Sequence, residues 1–177
     1  SGLLVIRTRT RTKRSNKRMT IVASTPDNRK ANNNVGRAIP VFGWRAEGTE
    51  RNIRQKSYRL QVWKTESPEE ILAEPFPVWD SGTVCSSSMA NIPYEGKKLD
   101  SGSRYRWQVE CTLDYEDGEK NTTEEAWFET GLFSMDDWKG CFIGETEDHV
   151  SHLYRKAFTC ARKVKKARLY VCGLGHF

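Results

Sequence analysis

Arg104-Tyr105-Arg106-Trp107-Gln108-Val109-Glu110-Cys111-Thr112-Leu113 alternates without a fault. Tyr105, Trp107, Val109, Cys111 and Leu113 fall on one face, and Arg104, Arg106, Gln108, Glu110 and Thr112 on the other. A period of two held this long predicts a strand with one face buried and one wet. Asp117-Gly118 then signals a hairpin, so the return strand, Glu125 to Thr130 with Trp127 as its large apolar contributor, is expected to run antiparallel. On the other side, Leu99 precedes Tyr105 by six residues. That is the spacing of a tyrosine corner, in which a phenol bonds a backbone group upstream and fixes the crossover between the sheets of a sandwich.

Further upstream, Tyr58, Leu60 and Val62 alternate with Arg59, Gln61 and Trp63, predicting a second half-buried strand from Ser57 to Trp63. A first core strand is expected at Ala38 to Trp44, preceded by a polar loop, Pro26 to Gly36. Ser67-Pro68-Glu69-Glu70-Ile71-Leu72-Ala73 predicts one or two helical turns: Ser67 suits the cap, Pro68 the first helical position, and the glutamates the positive end of the dipole. Pro75 and Pro77 end it, Asp80-Ser81-Gly82 after Val78-Trp79 reads as a turn or bulge, and a short strand follows at Thr83 to Ser86. Short strands separated by Gly, Pro and Asn turns predict an all-β, fibronectin-type-III/Ig-like antiparallel sandwich over residues 35–132, after a basic arm and loop over 1–34. Leu99, Tyr105, Trp107 and Trp127 carry structural roles in it.

After Gly131 the texture changes. Ser134-Met135-Asp136-Asp137-Trp138 predicts a capped turn within a linker over 133–148. Residues 149–177 read as the start of a second β-sandwich, with strands at Leu153 to Phe158 and Lys165 to Cys172. Two strands cannot bury enough apolar surface to stand alone, so the chain is expected to be truncated, with further strands beyond Phe177.

Composition narrows the class. Of the 177 residues 37% are apolar and 29% charged, with six Trp, six Tyr and seven Phe, as in a globular chain rather than a disordered one. No transmembrane span is evident, and Leu3-Leu4-Val5-Ile6 precedes its basic residues, the reverse of a secretory signal. The net charge of +6 is localised, because Arg7, Arg9, Arg11, Lys13, Arg14, Lys17 and Arg18 supply +7, leaving 6 − 7 = −1 elsewhere. A basic arm can hold nucleic acid by neutralising phosphates. No reader helix, zinc module or base-stacking motif accompanies it, so an edge strand or solvated terminus is the expectation and nucleic acid is not an expected partner. Cys85, Cys111, Cys141, Cys160 and Cys172 are odd in number and lack a Cys-x-x-Cys pair, which excludes a disulfide scaffold or zinc ribbon and leaves at least one thiol free. An unpaired thiol leans toward a reducing compartment without fixing one.

The order of the motifs resembles the amino-terminal region of bacterial α-L-rhamnosidases of glycoside hydrolase family 78. The residues that carry the likeness are Phe42-Gly43-Trp44, Tyr58-Arg59-Leu60-Gln61-Val62, Trp79-Asp80-Ser81-Gly82 and Tyr94-x-Gly96-x-x-Leu99. They continue through Arg104-Tyr105-x-Trp107, Phe128-Glu129-Thr130-Gly131-Leu132, Asp137-Trp138, Arg155-Lys156-Ala157-Phe158 and Ala167 to Gly175. The basic arm has no place in this pattern, and His176 stands where an aromatic is usual. The resemblance implies an accessory first sandwich, a jelly-roll-like second one, and catalysis far downstream in an (α/α)6 barrel. The reaction it implies is inverting hydrolysis of terminal α-L-rhamnose by a carboxylic acid and a carboxylate. The expected partners are the downstream domains of the same polypeptide and rhamnose-containing glycans. No catalytic, metal or cofactor residue is assignable in the chain itself, which reads as a non-catalytic amino-terminal accessory fragment of such an enzyme, the alternative being a stand-alone carbohydrate-binding or fibronectin-type interaction module.

The candidate sites are weak by this reading. Asp136-Asp137, Glu69-Glu70, Glu124-Glu125 and the group Glu145, Glu147, Asp148 lie at turns or loops and read as solvated surface rather than acid/base pairs. His149 and His152 offer only two ligands, and Gly173-Leu174-Gly175 is too short to cradle a phosphate. Trp63, Trp79 and Trp138 are candidates for stacking on sugar rings because they fall near strand edges or connections, against core packing as the plainer role. Asn121-Thr122-Thr123 spells a glycosylation acceptor, which matters only in a secreted eukaryotic protein.

Overall fold

The computed structural model describes residues 19–24, 26, 35–48, 51–66, 76–141 and 143, together with 154–157, 159–164 and 167–172. The helical turns expected at Ser67 to Ala73, the basic arm from Arg7 to Arg18 and the pair His149/His152 lie outside the described residues. The chain divides into two units, Ser1–Lys139 and Gly140–Phe177.

The first unit is built from β1 (Thr20–Ala23), β2 (Val41–Phe42), β3 (Trp44–Glu47), β4 (Arg54–Lys64), β5 (Trp79–Val84), β6 (Ile92–Pro93), β7 (Arg104–Tyr115) and β8 (Gly118–Glu129). One layer is a four-stranded antiparallel sheet in the order β5-β4-β7-β8. The other layer comprises the antiparallel pairs β1-β3 and β2-β6. The strand expected at Ala38 to Trp44 divides at Gly43, whose carbonyl accepts from Ser24 N–H while Trp44 N–H donates to Met89 O at 2.8 Å. One chain segment thus serves partners on both its sides.

β1 lies within the stretch that the sequence reads as arm and loop. Polar neighbours hide it, yet Ile21 is buried in the core and every residue of the strand pairs with β3. Val35 makes a parallel bridge to Thr130, at the end of β8.

The core is filled by the inward faces of both layers. From the four-stranded sheet come Tyr58, Leu60, Val62, Tyr105, Trp107, Val109, Cys111, Leu113 and Phe128, and from the other layer Ile21, Phe42, Trp44 and Ile92. Phe42 binds the layers together, with its ring 4.9 Å from Trp107 and 5.9 Å from Phe128 in tilted and edge-on contacts. Such pairs add about 0.5–1.5 kcal/mol to the burial of the rings themselves. Trp107 stands two residues after the corner tyrosine, where an antibody domain places the cysteine of its inter-sheet disulfide. Here a fully buried indole fills that space.

β4 begins at Arg54, earlier than its alternation indicates, because a bulge at Lys56 shifts its phase. Gln55 consequently points inward. Its buried amide is satisfied: Trp44 Nε1 donates to its oxygen at 2.8 Å, and its nitrogen donates to Ser86 O and Ser88 O, each at 2.9 Å. A buried amide without such partners would cost about 1–3 kcal/mol.

In the second unit, residues 154–157 and 167–172 are described without strand structure, and Leu169, Val171 and Tyr154 are exposed. The alternation of Ala167, Leu169 and Val171 therefore forms no sheet among the described residues of this chain. A lone pair of strands offers no opposing layer to cover its apolar face.

Candidate functional site

The spelling Trp79-Asp80-Ser81-Gly82 builds one compact device on the edge strand β5. Arg59 donates to both carboxylate oxygens of Asp80, at 3.0 and 2.6 Å, and Gln61 adds a bond at 3.0 Å. The carboxylate also accepts from Gly82 N–H at 2.9 Å. These contacts, led by the Arg59 hydrogen bond, hold the Asp80 carboxyl below its usual range. Ser81 Oγ accepts from Leu60 N–H at 2.9 Å, replacing a ladder bond where the register shifts between Arg59 and Gln61. Gly82 completes the bulge with φ +61°, a conformation glycine adopts without steric cost.

Trp79 heads the device and belongs to the core side. It pairs in register with Val62, stacks on Phe42 with centroids 6.4 Å apart, and meets Tyr94 edge-on at 5.0 Å. Gly96 lies beneath them. A Cβ there would stand 2.8 Å from Trp79 Cβ and collide with the Tyr94 hydroxyl. Tyr-x-Gly is thus a packing requirement. Burial pushes the Tyr94 phenol up to about 12.

Trp63 is one residue beyond Val62 on β4 and therefore on the opposite, outer face of the sheet. It is 8% exposed, with Arg106 stacked over its ring at 4.4 Å. Arg106 pairs in register with Trp63 on one side and Trp127 on the other, and Arg104 lies over Trp127 at 5.2 Å. Glu125 accepts from Arg106 at 3.2 Å, and Glu129 from Arg104 at 2.7 Å. The outer face thus carries an interleaved row of two tryptophans and two arginines, its charges balanced by two glutamates. Cation–π contacts of this kind are worth about 0.5–2 kcal/mol each.

The three tryptophans read as sugar-stacking candidates do not form one platform. Trp63 is covered by Arg106, Trp79 is committed to Phe42 and Tyr94 across the sheet, and Trp138 lies half-buried just after the 3-10 turn Met135–Asp137. Trp127, expected from the sequence as the large apolar contributor of its strand, faces outward, because Ala126 and Phe128 pair with the inward Trp107 and Tyr105. Arg104 and Arg106 are legible in the sequence as outward residues, but only the cross-strand register brings them against tryptophans.

Several of the described carboxylates have structural partners. Besides Asp80, Asp100 accepts from Lys64 at 2.7 Å, Glu119 pairs with Lys56, and Asp117 pairs with Lys120 at 2.8 Å. Asp137 accepts from Ser101 Oγ at 2.9 Å and from the N–H groups of Phe133 and Ser134, each at 3.0 Å. These bonds, Ser101 foremost, hold its carboxyl below the usual range. Glu69-Glu70 and the group Glu145, Glu147, Asp148 lie outside the described residues, as does Gly173-Leu174-Gly175. Among the described residues no cluster of three or more His, Cys, Asp or Glu is arranged to hold a metal ion.

Comparison with known proteins gives the arrangement its family. An α-L-rhamnosidase of Alteromonas sp. (strain LOR) is 32% identical over 152 residues, a match covering 79% of this chain and 16% of that protein. One from Formosa agariphila is 33% identical over 152 residues with the same coverage. The crystal structure of Streptomyces avermitilis α-L-rhamnosidase complexed with L-rhamnose superposes with a TM-score of 0.55 at 26% identity, covering 68% of this chain and 11% of that one. The chain therefore spans about one sixth of the length of the first two relatives. Residues 21–134 match the Rha78A-like N-terminal immunoglobulin domain, from β1 through the start of the exit turn, and the chain belongs to that family.

Proposed function

We propose that this chain is the amino-terminal accessory part of an α-L-rhamnosidase, a non-catalytic sandwich that supports and orients a catalytic domain carried elsewhere in the same polypeptide. The observation that carries the reading is the asymmetry of coverage: most of this chain, 79%, corresponds to only 16% of a rhamnosidase. The described carboxylates add support, since Asp80, Glu125, Glu129 and Asp137 are engaged in ion pairs or backbone bonds that hold the sandwich. The parent protein would hydrolyse terminal α-L-rhamnosides by inversion, one carboxylic acid protonating the leaving oxygen and one carboxylate activating water, both outside this chain. The residue ranges 35–132, 133–148 and 149–177 would be its first sandwich, linker and the beginning of a second sandwich.

The test is hydrolysis of an aryl α-L-rhamnoside by this chain alone and by the longer gene product. Activity confined to the longer product is expected. Turnover by the 177-residue chain would overturn the proposal.

Binding of rhamnose-containing glycans by the sandwich itself is the second reading, supported by the partial exposure of Trp127 and Trp138. Titration with rhamnose and rhamnosylated oligosaccharides should change tryptophan fluorescence in a saturable way under this reading, and a flat signal removes it.

A further inference from the structure

The chain leaves the sandwich through a turn that buries nothing. No residue of Met135–Asp137 is buried, and Met135 is 77% exposed. Apolar packing of Met135–Asp137 therefore adds little to holding the turn, although Phe133 and Trp138 on either side of it are half-buried. Three polar contacts converge on it instead. Asp137 Oδ2 accepts from Phe133 N–H and Ser134 N–H, closing the turn on itself, and from Ser101 Oγ, which lies 36 residues earlier in the corner before β7.

That corner is itself rigidly held. Asp100 N–H donates to the phenol of Tyr105 at 2.8 Å, Gly102 N–H to Gly131 O at 2.9 Å, and Ser103 N–H to Thr130 Oγ1 at 2.8 Å. Thr130 N–H returns a bond to Ser103 O at 2.9 Å. Ser101 Oγ lies within reach of Gly131 O at 3.1 Å and accepts from Phe133 N–H at 3.2 Å. Beyond the bonds to Thr130 and Gly131, the corner thus reaches the exit turn through the Ser101 hydroxyl and the Asp137 carboxylate.

We propose that Ser101 and Asp137 form a latch that fixes the position and direction in which the polypeptide leaves the sandwich. Asp137 is a positioning residue: its carboxylate converts a surface turn into a defined departure point. The latch suits an accessory domain in a long polypeptide, because a fixed departure point narrows the volume that the following segment samples. It rests on the local geometry alone and stands whatever chemistry the parent protein performs.

Amide hydrogen exchange on the whole chain tests it, comparing Asp137→Ala and Ser101→Ala with the native protein. Exchange at Phe133 and Ser134 should accelerate by about tenfold or more, the scale set by losing a hydrogen bond to a charged group. Cleavage by chymotrypsin after Phe133 or Trp138 should accelerate alongside, while amides of Leu60 and Val109 in the sheet stay as slow as before. Asp137→Asn, which keeps an acceptor oxygen, should restore part of the protection. Unchanged exchange at Phe133 and Ser134 in the alanine variants would overturn the latch. So would an equal rise at Leu60 and Val109, because the two residues would then be ordinary supports of the whole fold.

Discussion

The phenol oxygen of Tyr105 accepts a hydrogen bond of 2.8 Å from the backbone N–H of Asp100, five residues before it. Tyr105 is buried against Phe128, with ring centroids 5.5 Å apart, so the bond joins the core to the corner at which the chain enters the four-stranded sheet. The corner also presents Ser101 to the exit turn.

Replacing Tyr105 with Phe keeps the ring and removes only the acceptor, stranding a part-buried N–H. A loss of about 1–3 kcal/mol is expected. Urea unfolding should show a lower midpoint at unchanged m-value, the signature of altered stability without altered compactness.

Two glycines should respond to alanine for different reasons. At Gly82 nothing lies within 4 Å of a new Cβ, but φ is +61°, so Gly82→Ala should cost about 1 kcal/mol in backbone strain alone. At Gly96 the new methyl meets Trp79 Cβ at 2.8 Å and the Tyr94 ring, and overpacking of about 1–3 kcal/mol is expected. Thermal melts of the two variants should rank Gly96→Ala as the less stable. Equal melting points would argue against the close packing of Trp79, Tyr94 and Gly96.

Acid should weaken the fold through Asp80 and Asp137, whose carboxyls are held below the ordinary value of 3.8. Near that pH the unfolded chain binds more protons than the native one. The contribution is therefore present above the unfolded pKa and is lost as pH falls through the native values. Urea midpoints measured from neutral pH down to about pH 3 should fall, and Asp80→Asn should flatten part of the slope. A native slope unchanged by that substitution would count against the Arg59–Asp80 pair as its source.

The five thiols should divide into four and one. Cys85, Cys141, Cys160 and Cys172 are exposed, while Cys111 is buried on β7 and its pKa is pushed by burial from 9.0 up to about 12. A disulfide reagent should titrate four thiols in native protein and the fifth only after unfolding. Because Cys111 and Tyr94 stay protonated in the fold beyond the pH at which they ionise unfolded, their contribution is complete below about pH 9 and lost as pH rises toward 12. Cys111→Val should reduce the alkaline loss.

The sequence by itself determined which side chains face inward along β7 and along β4 from Tyr58 to Val62, though not along β8, where Trp127 turns outward. Tyr105 to Leu113 and Tyr58 to Val62 alternate so regularly that a one-residue slip would put the whole apolar set in water, which fixes each strand's face and predicts a layered all-β fold. It also determined the corner, because Tyr105 and the backbone group it bonds, Asp100 N–H, lie within a short stretch of chain. β1 was hidden, since four residues beside a basic arm carry too little pattern to announce a strand and acquire it only by pairing with β3. The phase of β4 beyond Ser57 was hidden too, because a bulge at Lys56 reverses the alternation and turns Gln55 inward.

Tertiary structure alone decided what the outward residues do. Arg104, Arg106 and Trp63 are marked as outward by alternation, whereas Trp127 reads as apolar core and is turned outward by its pairing with Arg106; which indole lies under which guanidinium depends on cross-strand register, a long-range property. The same holds for Asp137, which a local reading makes a helix cap and which the fold also brings to Ser101. Local period and turn chemistry are written in neighbouring residues. Contacts between distant ones exist only once the shared core has set the strands side by side.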